Sequence, residues 1–179
     1  MANIRETEKK YARIVALLRE KGLTVSAMES CTGGLVASLI TDVSGASEVF
    51  PGGYVTYSNT RKEESGVPAE MIAEHGVYSR ETAQSMAEAA AREMRTDFGI
   101  GITGSLGRMD PANRDSVPGE VFVALCGPVG KDPALGDREN MRSVKLEQNP
   151  QTDTPAHRRQ AKLAAAAAAA DLLLSALSE

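Results

Sequence analysis

The apolar positions of the chain recur with helical spacing in some segments and fill short runs of strand length in others. Residues 5–21 carry an apolar stripe opposite a charged face, and Gly22 follows as a stop, which predicts a first helix. Residues 23–28 form an apolar run of strand length. Residues 29–43 turn from small polar residues into a second amphipathic helix. The chain is therefore predicted to begin as helix, strand, loop and helix.

The same alternation continues to the end of the chain. The segment 52–59 combines a glycine pair with β-branched and aromatic residues, which predicts a second strand. Two helices are expected over 68–76 and 79–95, with Ser79 as the N-cap of the longer one. The remaining predicted elements are strands within 96–105, 119–128 and 140–148, and a final helix that starts at Pro155 with Thr154 as its cap.

This succession of elements indicates the fold class. Helices and strands that alternate through the whole length favour a three-layer α/β/α sandwich, in which a mixed sheet lies between helices. At 179 residues the chain can bury one sizeable core and is short for two, so we expect a single domain over residues 1–179. The Gly/Pro/Asp-rich segment 106–118 interrupts the strands, and a loop of that length in a compact domain is usually functional or mobile.

Composition narrows the classes of partner. The net charge is −4, and 4% of the residues are aromatic, with no Trp, so neither phosphate attraction nor base stacking favours a nucleic-acid partner. The Ala-rich C-terminal block is interrupted by Asp171 and predicts a packed helix, with no membrane partner. Two cysteines without metal-ligand spacing and no signal peptide predict a cytoplasmic protein without a bound metal.

The segment "ESCTGG", residues 29–34, lies where a strand is predicted to pass into a helix. Small residues and paired glycines let backbone N–H groups converge on an anion, which would make this loop a phosphate or carboxylate cradle. The alternative is an ordinary strand-to-helix turn, and the motif alone favours that alternative because a glycine pair is far less specific than a P-loop. Cys31 within the loop has no histidine in a catalytic context, so a buried structural thiol is favoured over a nucleophile.

Ser47 and Lys62 lie on either side of the predicted second strand. Without a usable histidine, the plausible base for a serine nucleophile is an amine whose pKa is lowered by burial or by a neighbouring cation. Tyr57 at the end of the strand could join the pair, and Gly45 and Ala46 could let N–H groups face an oxyanion. From the spacing alone the alternative is favoured: Ser47 caps a turn and Lys62 is a solvated lysine at a helix start.

Three blocks in this order carry a resemblance to a known family: "ESCTGG" at 29–34, "GASEVFPGGYVTYSNTRK" at 45–62 and "HGVYSRETAQSMAEAA" at 75–90. The chain resembles the C-terminal domain of the competence/damage-inducible protein CinA, which also occurs alone as a nicotinamide-nucleotide amidohydrolase. The resemblance covers residues 5–126 and, loosely, the terminal helix. It is the stand-alone form that the chain resembles, since the molybdopterin-binding-like domain of full-length members has no counterpart in it.

The resemblance implies an activity: hydrolysis of the carboxamide of nicotinamide mononucleotide to nicotinate mononucleotide and ammonia, with no metal and no cofactor. It implies a Ser-Lys arrangement, whose matching positions are Ser47 and Lys62, with Tyr57 as a nearby helper. The partner would then be a small nucleotide substrate, and the family also implies a homo-oligomer. The residues expected to bind substrate are Ser30, Thr32, Gly33, Gly34, Ala46, Asn59 and Gly104, with Arg158 as the candidate phosphate partner.

One loop departs from the family pattern. Typical members carry "SGIAGPxGG" followed by "KPVGTV", whereas residues 103–121 here are "TGSLGRMDPANRDSVPGEV". The glycine pair and the lysine before the proline are absent, and Arg108 or Arg114 could replace the lost positive charge. The altered loop keeps two further hypotheses open: an amidase for another small amide, and a non-catalytic relative that binds a nucleotide or a protein partner.

Overall fold

The chain folds as five strands and six helices in a computed structural model that describes residues 2–107, 109–113, 116–127, 142–147 and 153–178. The helices are α1 (Ile4–Lys21), α2 (Leu35–Thr41), α3 (Asn59–Glu64), α4 (Ala69–His75), α5 (Arg80–Met94) and α6 (Pro155–Leu177). The strands are β1 (Val25–Glu29), β2 (Gly53–Val55), β3 (Phe98–Gly104), β4 (Glu120–Cys126) and β5 (Arg142–Glu147), and a short 3₁₀ turn covers Ala46–Glu48.

The five strands form one mixed sheet in the order β2-β1-β3-β4-β5. Strand β1 pairs in parallel with both β2 and β3, while β3–β4 and β4–β5 are antiparallel. Parallel strands need crossover connections: α2 connects β1 to β2, and α3 to α5 return the chain from β2 to β3 on the other side of β1. The carboxyl ends of β1, β2 and β3 therefore lie at the same edge of the sheet.

Helices cover both faces of the sheet. The larger core cluster joins α1, α2 and α6 to one face, and two smaller clusters join α5 to the other. α5 approaches closely because Gly101 of β3 has no side chain: a Cβ there would collide with the carbonyl oxygen of Ala83 in α5. These layers confirm the predicted three-layer α/β/α sandwich.

The local signals for the helix ends are confirmed by side-chain hydrogen bonds. The hydroxyl of Ser79 accepts from the N–H of Thr82 at 3.0 Å, and the hydroxyl of Thr154 accepts from the N–H of His157 at 3.2 Å. The second strand, in contrast, is only three residues long, Gly53–Val55, which is shorter than the predicted segment 52–59. The chain leaves β2 early because Ser58 already caps α3 through its hydroxyl.

Helix α6 is a core helix. With 23 residues and a mean hydropathy of 1.3 over its most apolar window, it is long and apolar enough to cross a membrane by those two criteria alone. However, five of its alanines are buried in the core, Ala161, Ala165, Ala166, Ala169 and Ala170, and the phenol of Tyr11 in α1 donates to the carbonyl oxygen of Ala166 at 2.9 Å. This packing confirms the prediction of a packed terminal helix.

Candidate active site

Ser30 is the first residue after β1, at the edge of the sheet where the three parallel strands end. Its backbone N–H donates to the carbonyl oxygen of Ile102 in β3 at 3.0 Å, which continues the ladder by one bond and fixes the start of the loop. The Ser30 side chain is buried. In open α/β sheets, this edge is where ligands generally bind.

The amine of Lys62 contacts the hydroxyl of Ser30. The Lys62 Nζ lies 3.1 Å from Ser30 Oγ and also donates to the carbonyl oxygen of Thr56 at 2.9 Å. Only 1% of the Lys62 surface is exposed, although the residue belongs to a six-residue helix at the surface of the fold. Burial lowers the pKa of Lys62 from 10.5 to about 8, while the nearby Cys31 and Asp110 act in the opposite direction. A buried amine with a lowered pKa that contacts a hydroxyl is a suitable base for a serine nucleophile.

Glu29 holds the loop that follows Ser30. The Glu29 side chain is buried at the end of β1, and its two oxygens accept from the N–H groups of Gly34, Val36 and Ala37 at 3.1, 3.1 and 2.9 Å. These are the otherwise unpaired N–H groups at the start of α2, where a negative charge is also favourable. The carboxylate therefore ties the first turn of α2 to the strand and sets the path of residues 30–34.

A cavity of about 190 Å³ opens beside Ser30. Of the residues predicted from the sequence, Ser30, Tyr57, Gly104 and Arg158 line it. Tyr57 is 68% exposed and lies at the mouth, and Arg158 forms an ion pair with Asp153 at 3.1 Å. Their common cavity brings a hydroxyl, a phenol and a guanidinium together around the Lys62–Ser30 pair.

A hydrogen-bonded network lines the other wall of this cavity. The phenol of Tyr78 donates to Asp110 Oδ2 at 2.7 Å, and the side-chain amide of Asn113 donates to the same oxygen at 2.6 Å. The amide of Asn59 donates to Asn113 Oδ1 at 3.1 Å and so links α3 to the network. The hydrogen bonds from Tyr78 and Asn113 hold the pKa of Asp110 below its usual value. Asn59 is therefore connected to the site through Asn113, although it does not line the cavity.

The predicted pairing of Ser47 with Lys62 is wrong. Ser47 is exposed in the 3₁₀ turn, which lies beside the amino end of β1, where Val25 N–H donates to the carbonyl oxygen of Val49 at 2.8 Å. Lys62 lies with Ser30 at the carboxyl end of the same five-residue strand, which places the two ends roughly 15 Å apart. Ala46 shares the position of Ser47, so its N–H cannot serve an oxyanion at Ser30. The alternative that Ser47 belongs to a turn fits the structure, whereas a solvated Lys62 does not.

The loop 29–34 faces two cavities. Ser30 and Cys31 line the cavity beside Lys62, whereas Thr32, Gly33 and Gly34 line a separate cavity of about 510 Å³ together with Lys162 of α6. The predicted set of Ser30, Thr32, Gly33 and Gly34 is thus not brought together around one ligand. Arg108 and Arg114, the candidates for the missing positive charge, lie outside the described residues.

Cys31 is a poor nucleophile despite its position. Its side chain is buried, and burial raises the pKa of the thiol to about 12, so the thiol remains protonated at neutral pH. The structural role predicted for this thiol fits that environment. Among the described residues, no group of three His, Cys, Asp or Glu side chains is arranged to hold a metal ion.

Three functional candidates were missed from the sequence: Glu29, Tyr78 and Asp110. Glu29 could have been found, because a charged residue at the end of an apolar strand and directly before a small-residue turn has to be paired when it is buried. Tyr78 and Asp110 carry no such signal. Their contact spans 32 positions and depends on how the segment after β3 folds back over α5.

Sequence comparison relates the chain to a protein family. The model of the CinA C-terminal domain matches residues 7–177. A CinA-like protein of Anaeromyxobacter sp. (strain Fw109-5) is 44% identical over 138 residues, which cover 74% of this chain and 33% of the relative. A putative competence-damage inducible protein of Limosilactobacillus fermentum is 46% identical over 100 residues, or 55% of this chain and 24% of that protein. The chain thus spans about a third of the length of such relatives or less.

Solved structures with a similar fold carry related names. The competence/damage inducible protein CihA from Agrobacterium tumefaciens superposes with a TM-score of 0.81 at 30% identity, covering 97% of this chain and 96% of that chain. A CinA superfamily protein from Escherichia coli superposes with the same TM-score of 0.81 at 21% identity, over 98% of this chain and 93% of that chain. At the lower identity the likeness concerns the fold alone.

Proposed function

Because the chain belongs to the CinA C-terminal domain family, we propose that it is an amidohydrolase that converts nicotinamide mononucleotide into nicotinate mononucleotide and ammonia, with Ser30 as nucleophile and Lys62 as base. The observation that carries the proposal is the 3.1 Å contact between the Lys62 amine and the Ser30 hydroxyl beside an open cavity. This arrangement supplies an activated nucleophile without an imidazole. Any other small carboxamide that reaches Ser30 would meet the same chemistry.

The first half of the reaction forms an ester. Neutral Lys62 takes the proton of the Ser30 hydroxyl, and Ser30 Oγ attacks the carboxamide carbon to give a tetrahedral oxyanion. The backbone N–H of Cys31, which follows Ser30 and lines the same cavity, is the candidate to stabilise the oxyanion. The C–N bond then breaks, and the proton held on Lys62 passes to the leaving nitrogen, which departs as ammonia.

The second half releases the acid. Water attacks the acyl ester of Ser30, Lys62 again takes a proton, and the ester bond breaks to return the Ser30 hydroxyl and a carboxylic acid, which ionises. With a pKa of about 8, roughly one tenth of the Lys62 amine is neutral at pH 7. That fraction is sufficient for a general base and far larger than a solvated lysine would provide.

The test measures ammonia released from nicotinamide mononucleotide by the wild-type protein and three variants. Lys62→Met is expected to lower the rate about 100-fold to 10,000-fold, and Ser30→Ala at least as much, because each removes a partner in proton transfer or attack. Ser47→Ala is the matched control and is expected to retain the wild-type rate, since Ser47 lies at the other end of β1. A loss of activity in Ser47→Ala equal to that in Ser30→Ala would contradict the assignment of the nucleophile.

The same assay separates the amidohydrolase from a binding protein. The loop after β3 differs from the family pattern, so a relative that binds a nucleotide without cleaving it is the second candidate function. It would release no ammonia and would still be stabilised against heat by nicotinamide mononucleotide. A panel of other small carboxamides distinguishes this outcome from an amidase with a different substrate.

A further inference from the structure

One acidic side chain, Asp110, lines the Ser30 cavity within the described residues. Its carboxylate accepts hydrogen bonds from the phenol of Tyr78, the amide of Asn113 and the N–H of Ala112, at 2.7, 2.6 and 3.0 Å. Three donors on one carboxylate favour its ionised form, so the wall of the cavity carries a fixed negative charge at neutral pH.

Among the residues that the structure describes, the basic side chains of this site form no ion pair with Asp110. Arg158, which also lines the cavity, is already bonded to Asp153 at 3.1 Å. Lys62 is buried behind Ser30 and is committed to contacts with the Ser30 hydroxyl and the carbonyl oxygen of Thr56. A ligand that enters therefore meets a carboxylate whose charge is available on the wall.

The remaining surface of the cavity suits a flat and positively charged ring. The phenol rings of Tyr57 and Tyr78 line it, as does the thioether of Met109. Aromatic faces attract cations, and a thioether is polarisable and adapts to aromatic rings. None of these groups would repel a cationic ring, and Asp110 would attract it.

The cavity has room for a small ring beside Ser30. Its volume of about 190 Å³ accommodates a six-membered ring with its carboxamide. A ribose and a phosphate would have to extend through the mouth past Tyr57. The charge of the ring is thus the property that the cavity wall can recognise.

We propose that Asp110, held by Tyr78, is a specificity-determining residue that selects carboxamides borne on a cationic aromatic ring, such as a pyridinium, over neutral rings of the same shape. This proposal rests on the proposed function for the presence of an amide at Ser30. It goes beyond that function because it concerns the charge of the ring and a residue that takes no part in the cleavage.

The test compares two ligands that differ in the ring charge and a methyl group, the 1-methylnicotinamide cation and neutral nicotinamide. Binding constants are measured by calorimetry in the Ser30→Ala background, so that no turnover occurs. We expect the cation to bind about 5-fold to 30-fold more tightly. The additional variant Asp110→Asn is expected to bring this ratio close to one, while Asp110→Glu restores most of it.

One control separates the charge on the cavity wall from charge elsewhere on the protein. Asp42→Asn removes one negative charge at an exposed position outside this cavity and is expected to retain the preference for the cation. An unchanged ratio in Asp110→Asn, a ratio lost equally in Asp42→Asn, or no binding of the cation at millimolar concentration would each overturn the proposal.

Failure of this inference is distinguishable from failure of the proposed function. Ammonia release by the wild-type protein together with an Asp110-independent binding ratio would leave an amidohydrolase without charge selection. A binding ratio that depends on Asp110, together with no ammonia release, would leave a charge-selective binding site without the hydrolysis.

Discussion

Lys62 and Ser30 are 32 positions apart in the sequence, and their side chains lie 3.1 Å apart in a buried contact. The contact is possible because each residue follows one of two parallel neighbouring strands, Ser30 after β1 and Lys62 after β2. Parallel strands end at the same edge of the sheet, so the segments that follow them meet. The candidate nucleophile and its base are thus brought together by the pairing of two short strands.

The activity of the protein is expected to rise with pH. The base must be neutral to accept a proton, and the pKa of Lys62 is about 8, so kcat/KM should increase through pH 8 and level off above it. The negative charge of Asp110 raises the pKa of Lys62, so in Asp110→Asn the midpoint should move to lower pH. Initial rates of ammonia release between pH 6 and pH 10 measure both midpoints. A rate independent of pH across this range would contradict Lys62 as the base.

The free energy of unfolding is expected to depend on pH because the Lys62 amine is buried. The pKa of Lys62 is about 8 in the folded protein against 10.5 for a lysine in the unfolded chain. Between these two pH values the unfolded chain binds more protons, so the free energy of unfolding rises with pH. Below pH 8 the cost of burial is fully present. Relative to Lys62→Met, the free energy of unfolding of the wild type should therefore increase between pH 8 and 10.5, by at most about 1.4 kcal/mol per pH unit.

Urea titrations of the two proteins at pH 7.5, 9 and 10 give this difference, because residues that titrate in both proteins cancel. A difference that is constant from pH 7.5 to pH 10 would show that the amine is not titrating in the buried position.

Replacement of Glu29 by Gln is expected to weaken both the fold and the site. The amide nitrogen of Gln cannot accept a hydrogen bond. At least one of the N–H groups of Gly34, Val36 and Ala37 would therefore lose its acceptor. We expect a loss of about 1–3 kcal/mol in the free energy of unfolding, together with a lower kcat, since the loop that starts at Ser30 loses its support.

The matched control for this change is Glu48→Gln. Glu48 is exposed and forms an ion pair with Arg19 at 2.9 Å, and such surface pairs contribute between 0 and about 1 kcal/mol. Urea titrations and steady-state kinetics on both variants make the comparison. Equal losses of stability in the two variants would argue against a special role for Glu29.

The close approach of α5 to the sheet is expected to make Gly101 sensitive to any side chain. In Gly101→Ala the new methyl group would collide with the carbonyl oxygen of Ala83, and we expect a loss of more than about 3 kcal/mol in the free energy of unfolding. Gly22→Ala is the control, because no atom lies within 4 Å of that site and only the left-handed backbone, with φ of 65°, is strained, at about 1–2 kcal/mol. Thermal unfolding compares the two, and equal shifts would contradict the packing argument.

The fold was predictable from the sequence because its signals are local. Apolar periodicity located the long helices, and the caps Ser79 and Thr154 could be assigned from residue type and position. The boundaries of β2 were harder to predict, since its three residues form an edge strand that is too short for a periodic sequence signal. Its pairing with β1 decides where it ends.

The candidate site was predictable only in part, and the error has a physical cause. Ser47 and Lys62 precede and follow the same strand, and residues on either side of one strand lie at its opposite ends. Ser30 and Lys62, in contrast, both follow strands that turned out to be parallel neighbours. The resemblance indicated Ser47 as the partner of Lys62 and Ser30 as a substrate-binding residue, and only the strand order shows that Ser30 is the serine beside Lys62. Tyr78 and Asp110 depended further on the path of a loop, for which the sequence carries no periodic signal.

The burial of Lys62 has a consequence for the life of the protein in the cell. A chain that is still being synthesised, or that has opened around α3, exposes this amine to water, where it holds its proton too firmly to activate any hydroxyl. Under the proposed mechanism, a neutral amine is therefore available to Ser30 only while the contacts around Lys62 are closed. A partly unfolded chain would have the hydroxyl and the amine but no base.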